Sequence, residues 1–259
     1  MANKLRGLGN DNYAKWSLQG VFTPQGDEGG INLGDIEALG YTPNLVEIER
    51  YSKEYAEKTL ARSDVIQKDA ALSFTVLSMI PLVRAALFMD EPEQMLTQSA
   101  TTKTVSFSKL VHGRVYATGL RDITITTFDD GAVSDPVTFV EETHYRVISE
   151  TGHFEWIGAT VADGGEAEVS GAAITDISGR QQFGIMANNG IRGKLDLFGS
   201  NEIGTPMHIE MWDVKLTPTG EVALQGADDY TQVQLQGRVY ADGAKPARFR
   251  FGCVTDLSM

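Results

Sequence analysis

The sequence predicts a mainly β protein: an antiparallel β-sandwich or partly closed barrel with one flanking α-helix and a long loop. Three observations carry that prediction. Apolar and polar residues alternate with a period of two over many short runs. The 27 glycines are scattered at the spacing of strands and turns rather than bunched. Only Ser78 to Asp90 holds a helical period, with Ile80, Val83 and Leu87 on one face and Pro81 near the first turn, where a missing N–H costs little.

In chain order, residues 1–15 are polar, lack periodicity and read as a flexible N-terminal arm. Trp16, Leu18 and Gly20 to Phe22 begin a strand. In Thr42 to Tyr51, Val46 and Ile48 share one face while Leu45, Glu47 and Glu49 share the other, so this strand is half exposed. Ser52 to Asp69 (SKEYAEKTLARSDVIQKD) is highly charged with no apolar stripe, and reads as a long mobile loop or, alternatively, a short helix over Lys53 to Leu60. Leu72, Phe74 and Val76 form a strand before the Pro81 helix. From Thr104 onward strands dominate, around Val105, Val115, Ile123, Tyr145, Phe154 and Leu195, with Glu150 to Gly152 as a hairpin turn. Ala162 to Glu168 reads as an acidic turn, and Phe183 to Met186 as a short strand.

Pro206 to Val239 reads as a three-stranded meander. Met207, Ile209 and Met211 are in phase, the phase shifts so that Trp212, Val214 and Leu216 follow, and a β-bulge between Met211 and Trp212 accounts for the shift. Val222 and Leu224 mark a second run. Val233, Leu235 and Val239 alternate with Gln232, Gln234, Gln236 and Arg238, giving one dry and one wet face.

Composition narrows function. The 259 residues suffice for one large β domain, read here as a single domain over 1–259. Against 22 Lys and Arg stand 35 Asp and Glu, a formal charge of -13, which argues against adhesion to nucleic acid or anionic membrane. Cys253 is the only cysteine, so an internal disulfide is impossible and a reducing cytoplasm fits. No apolar run has the length of a signal peptide or a membrane span, so neither export by that route nor membrane insertion is expected.

No catalytic, cofactor or metal site is read from the residues, and the chain is expected not to be an enzyme. His112, His144, His153 and His208 stand at no metal-ligand spacing and read as structural. The pairs Asp129 with Asp130 and Asp228 with Asp229 fall in turns, where Asp bonds its own backbone. Gly7 and Gly9 lack the third glycine and the preceding strand of a dinucleotide fingerprint. Trp156 and Trp212 read as core or interface before they read as a sugar-stacking platform.

LDLFGSN at Leu195 to Asn201, IEMWDV at Ile209 to Val214, LTPTGEV at Leu216 to Val222 and DDYTQVQLQG at Asp228 to Gly237 resemble, in that order, the C-terminal half of the major tail tube proteins of long-tailed, siphovirus-like bacteriophages. Asn32 to Asp35, the strand at Thr42 with its charged loop, the Pro81 helix and the hairpin HYRVISETGHFEW at His144 to Trp156 agree in order with that family. Ala100 to Pro136 matches least and is expected to be an elaboration on the outer surface. The resemblance implies a virion structural protein, made in the host cytoplasm, whose hexameric rings stack into the hollow tail tube that conducts DNA into the host. The implied partners are further copies of the chain and the tail tip, tape measure and tail terminator proteins, with DNA passing through unbound. It further implies that the loop over 52–69, with Tyr51, Lys53, Glu54, Tyr55, Lys58 and Arg62, contacts a neighbouring copy, and that either Glu210 and Asp213 or the row Gln232, Gln234 and Gln236 lines the lumen. The competing readings are the tube of a contractile injection or type VI secretion system, and a carbohydrate-binding β-sandwich.

Overall fold

Leu195 and Leu197 turn to one side of a strand whose other side carries Lys194 and Asp196, and this period of two recurs through the larger part of the molecule. The structure, a computed structural model, describes residues 17–53, 57–92, 94–176, 179–199, 206–222, 224 and 230–257. The arm at 1–15 and the pair Asp228 and Asp229 therefore lie outside the described residues. In chain order the elements are β1 (Leu18–Pro24), β2 (Ile31–Asn32), β3 (Ile36–Ser52), β4 (Thr59–Val76), α1 (Pro81–Phe88), β5 (Thr101–Phe107), β6 (Arg114–Ala117) and β7 (Ile123–Asp129). They continue as β8 (Tyr145–Ile148), β9 (His153–Trp156), β10 (Gly165–Gly171), β11 (Ile191–Gly199), β12 (Met207–Pro218), β13 (Val233–Val239) and β14 (Cys253–Asp256). The class is mainly β and antiparallel with one α-helix among the described residues, and the barrel is not closed. The sequence predicts one domain, whereas the chain folds as two compact units: Met95–Gln182 is inserted into a unit built from the residues on either side of it.

The host unit is one sheet of order β2-β1-β11-β12-β13-β4-β3, with β14 pairing to β12. Along one edge β12 pairs with β11, while its other edge is shared, Met207 to Glu210 with β14 and Val214 to Pro218 with β13. Phe22, Leu72, Leu195, Val214 and Leu235 fill the core side together with Leu82, Val83, Ala85 and Ala86 of α1. Each Leu, Val or Phe fully withdrawn from water here contributes about 1.5–3 kcal/mol. The helix is shorter than the predicted Ser78 to Asp90. It starts at Pro81 and ends where Met89 turns left-handed at φ 58°, its amide and that of Asp90 reaching back to the Ala86 and Ala85 carbonyls. The next carbonyls, of Phe88 and Met89, accept from the Met186 and Asn188 amides, each at 2.7 Å. For this reason 183–186, predicted as a strand, caps the helix and joins no ladder.

The largest correction concerns 52–69. From Thr59 onward it is neither loop nor helix: β4 pairs with β3 along its whole length, so the two strands form one long hairpin, while Glu54 to Ala56, within the predicted loop and the alternative helix, lie outside the described residues. Two β-bulges explain why alternation does not reveal it. Ala61 and Ile66 are extra residues without a Cα partner on β3, so Leu60, Ser63, Val65 and Lys68 share a face at spacings of three, two and three. In the terminal region the bulge is real, but both Trp212 and Asp213 lie opposite Lys194, and Trp212 leaves the core side. The run predicted around Val222 and Leu224 lies partly outside the described residues, Val222 and Leu224 themselves belong to no strand, and β12 pairs directly with β13.

The inserted unit, broader than the predicted elaboration over 100–136, has two three-stranded sheets, β5-β10-β7 and β6-β9-β8. Strand β10 replaces most of the predicted acidic turn. Its inward residues Gly165, Ala167, Val169 and Gly171 are small, while Glu166, Glu168 and Ser170 face out. Both sheets share one aromatic core, including Phe128, Phe139, Tyr145, Phe154 and Trp156, with ring centroids 4.8–6.2 Å apart across these pairs. The β8–β9 turn depends on Gly152, at φ 74°, where an added Cβ would stand 1.6 Å from the Leu120 carbonyl oxygen. Gly152→Ala is therefore expected to destabilise this unit by about 2–4 kcal/mol, from backbone strain plus overlap. Gly113→Ala, at φ 76° with open space around it, carries the strain alone and is expected to cost about 1 kcal/mol. Denaturant midpoints of the two variants check this, and equal losses would remove the carbonyl clash as the cause.

Candidate assembly surface

Because the side chains of directly paired residues share a face, the register assigns each hairpin residue to a side. Tyr41 with Leu72, Leu45 with Lys68, Glu47 with Val65 and Tyr51 with Leu60 lie on the side that faces the core at the hairpin base. Val46 with Gln67 and Ile48 with Asp64 lie on the other. Leu72 is buried, but beyond Ala70 no described residue buries the core side. Leu45 is 55% exposed, Leu60 54% and Val65 43%, and Ile48 on the reverse side is 58% exposed. An apolar recess of about 430 Å³, lined by Leu39, Tyr41, Leu72, Ile209 and Phe251 among others, opens at the base of this strip.

Of the six residues assigned to a contact with a neighbouring copy, Tyr51 and Arg62 sit in β3 and β4, and exposed Lys53 and Lys58 flank the hairpin tip. Glu54 and Tyr55 lie outside the described residues. Tyr51 donates to Glu49 at 2.6 Å, which holds its hydroxyl proton above the usual range, and Arg62 pairs with Asp64 at 2.5 Å. Both pairs are solvent-exposed and contribute little to stability. No position-specific pattern in the sequence separates Leu45, Leu60 and Val65 from ordinary core residues. Their exposure emerges only from the length of the hairpin.

The two alternative lumen rows fall on the same side of the same sheet. Gln234 and Gln236 point away from the core on β13, with exposed Gln232 just before it, and Glu210 and Asp213 point the same way on β12. The carboxylates are not free. Asp213 forms a two-pronged pair with Arg192, and Glu210 accepts from Lys194 at 3.0 Å and from the Cys253 thiol at 3.2 Å. The Lys194 bond holds the Glu210 carboxyl below its usual range, while burial and Glu210 push the Cys253 thiol up. Lys194 also reaches Asp196 at 2.9 Å. With Lys215 and Arg238 beside them, four cations face three carboxylates, so this surface is nearly neutral despite the charge of the whole chain.

The remaining candidates are held by local structure. Asp129 accepts from the Gly131 amide, and Asp130 from Ala132 and Val137, as turn chemistry predicts. His144 accepts from the Val140 amide, His112 contacts the Ile157 and Gly158 carbonyls, and His153 contacts Thr151. Trp156 is fully buried. Trp212 donates to the Phe249 carbonyl and lies beneath the ammonium groups of Lys194 and Lys245, at 5.2 and 4.0 Å from its ring centre. Neither ring offers an open stacking platform. No helix among the described residues is long and apolar enough to cross a membrane.

Among curated proteins no match is found. A family model matches residues 20–253, from within β1 to the start of β14, and the chain belongs to that family, described as protein of unknown function UCP028589.

Proposed function

We propose that this chain is a self-assembling structural subunit, forming hexameric rings that stack into a hollow tube of the bacteriophage tail type. One observation carries the reading: the core side of the host sheet continues out along the hairpin, where Leu45, Tyr51, Leu60 and Val65 stand exposed among Glu47, Glu49 and Lys68, past the point where any described residue covers it. Such a surface in contact with water marks an interaction site or an aggregation hazard. A second copy of the same chain covers it in the tube. The unclosed sheet fits as well, since its end strands β2 and β3 gain partners or cover when copies adjoin. The nearly neutral polar side of the sheet, with its glutamines and paired charges, then lines the bore and offers DNA few free cations to exchange for counterions. A carbohydrate-binding reading lacks comparable support, because Trp156 and Trp212 are both occupied.

Electron microscopy of the concentrated protein tests this, with hollow filaments of uniform bore as the expected result. Each copy carries -13, so a ring of six holds 6 × -13 = -78, and added salt screens that repulsion. Filaments are therefore expected to form at lower protein concentration in about 0.5 M salt than in about 0.05 M, spanning Debye lengths from roughly 4 to 14 Å. A chain that stays monomeric by sedimentation at every salt and protein concentration overturns the reading.

A further inference from the structure

The outward side of β11 and β12 carries a cluster whose chemistry the assembly reading does not use. Asp196 on β11 and His208 and Glu210 on β12 bring one imidazole nitrogen and two carboxylate oxygens within 4.8 Å of one another. The strands dictate this. His208 and Glu210 are two apart and so share a side, and Asp196 is directly opposite Glu210 in the register. His208 Nε2 and Asp196 Oδ1 are both closed to solvent, and neither makes a hydrogen bond. They face each other at 3.5 Å. Lys194 Nζ lies 2.9 Å from that oxygen and is its present partner, as an ion pair, whereas His208 Nε2 has, among the described residues, no donor or cation beside it other than through Asp196.

A nitrogen lone pair turned toward a carboxylate oxygen is unfavourable unless a proton or a cation lies between them. Zn²⁺ holds nitrogen and oxygen ligands at about 2.0–2.2 Å, so two ligands at the tetrahedral angle stand about 3.4 Å apart. The separation in this protein matches that edge. An imidazole with two carboxylates selects a borderline transition ion such as Zn²⁺ over Ca²⁺ or Mg²⁺.

We propose that Asp196, His208 and Glu210 form a Zn²⁺-type site, with Lys194 as the resident counter-cation that the metal displaces. The same ammonium already lies 5.2 Å from the centre of the Trp212 ring, so a displaced Lys194 has an aromatic face to move toward. The fourth position is left to water or to Cys253, whose thiol contacts Glu210 and gives up its proton if it binds. Unlike a lysine, a metal ion fixes several ligand directions at once, so its binding ties β11 to β12.

Calorimetric titration of the chelator-stripped full chain with zinc chloride tests the proposal without reference to assembly. One ion per chain is expected. His208→Ala and Asp196→Asn should each weaken binding at least about tenfold, since even the loss of an outer partner of a ligand costs 10- to 100-fold. Lys194→Met removes the competitor and should tighten binding about tenfold or more, a gain that a misfolded variant cannot mimic. His153→Ala, in the inserted unit, should bind as the parent does. Absence of saturable binding, binding that persists in both ligand variants, or a Lys194→Met chain that binds no tighter overturns the site.

Discussion

Replacing Trp156 with alanine opens the inserted unit while the host sheet stays closed. The indole is 0% exposed, its N–H donates to the Ala159 carbonyl at 2.8 Å, and Phe139 and Phe128 pack edge-on to it at 4.8 and 5.8 Å. Truncating a buried Trp costs about 3–5 kcal/mol. The unit spans Met95–Gln182, which is 182 - 95 + 1 = 88 residues, and at about 0.05–0.15 kcal/mol per residue its whole stability is about 4–13 kcal/mol. The loss is thus a large share of what holds it. Amide hydrogen exchange read by peptide is the measurement: peptides inside the unit should exchange about 10²- to 10³-fold faster, and those from β11 to β13 should keep their protection. Trp156→Phe, which retains the ring contacts and gives up only the hydrogen bond and part of the volume, should lie between. Equal acceleration throughout the chain would mean that the two units open as one.

The second large effect falls on assembly and spares the fold. Leu45→Glu combined with Leu60→Glu puts two carboxylates on the core-side strip of the hairpin, at positions that are already more than half exposed. Exposed substitutions of this kind change folding stability by about 0.5 kcal/mol or less each. Within an interface, losing a well-packed apolar anchor costs about 2 kcal/mol or more, so two per copy raise the concentration needed for filaments about 10³-fold. Sedimentation with negative-stain microscopy reads the shift, and an unchanged melting transition confirms the fold. Val46→Glu with Ile48→Glu tests the reverse side. If only that second pair blocks filaments, the core-side strip is not the joint.

Where partially burying strands alternate, the sequence was informative. Leu72, Phe74 and Val76, the residues around Phe22, and Val233 with Leu235 all face the core as their spacing predicts, and Pro81 marks the helix start because its ring suits the first turn. The hairpin was harder to see because burial is what writes a period of two into a sequence. Over Leu45 to Ser52 and Thr59 to Lys68 neither side is fully buried, and Ala61 and Ile66 shift the phase twice. Strand β10 was hidden for the opposite reason. Its inward positions are so tightly packed that only Gly, Ala and Val fit, with a Cβ on Gly165 standing 2.7 Å from the Asp129 carbonyl oxygen, and the resulting small residues look like a turn. The histidine cluster was not legible, and His208 reads from the sequence as structural. His208 and Glu210 carry a strand-spaced ligand pair, but Asp196 joins them only through the β11–β12 register, and no sequence spacing encodes a partner on another strand.

Strand order also sets a timetable for synthesis. Leu18 to Pro24 of β1 pairs with Gly199 to Gly193 of β11, so their separations run from 193 - 24 = 169 to 199 - 18 = 181 residues. At about 5–20 residues per second the first strand waits roughly 8–36 s for its partner to leave the ribosome. The β3–β4 hairpin and the whole of Met95–Gln182 emerge during that interval, and both close through contacts within themselves. The insertion is therefore complete before the sheet that carries it, and the sheet gains its last pairing only when Cys253 to Asp256 reaches Met207 to Glu210. Through that interval the hairpin strip already faces solvent, as it does in the finished subunit, so neighbouring nascent chains on one message present their joining surface before the host sheet is complete.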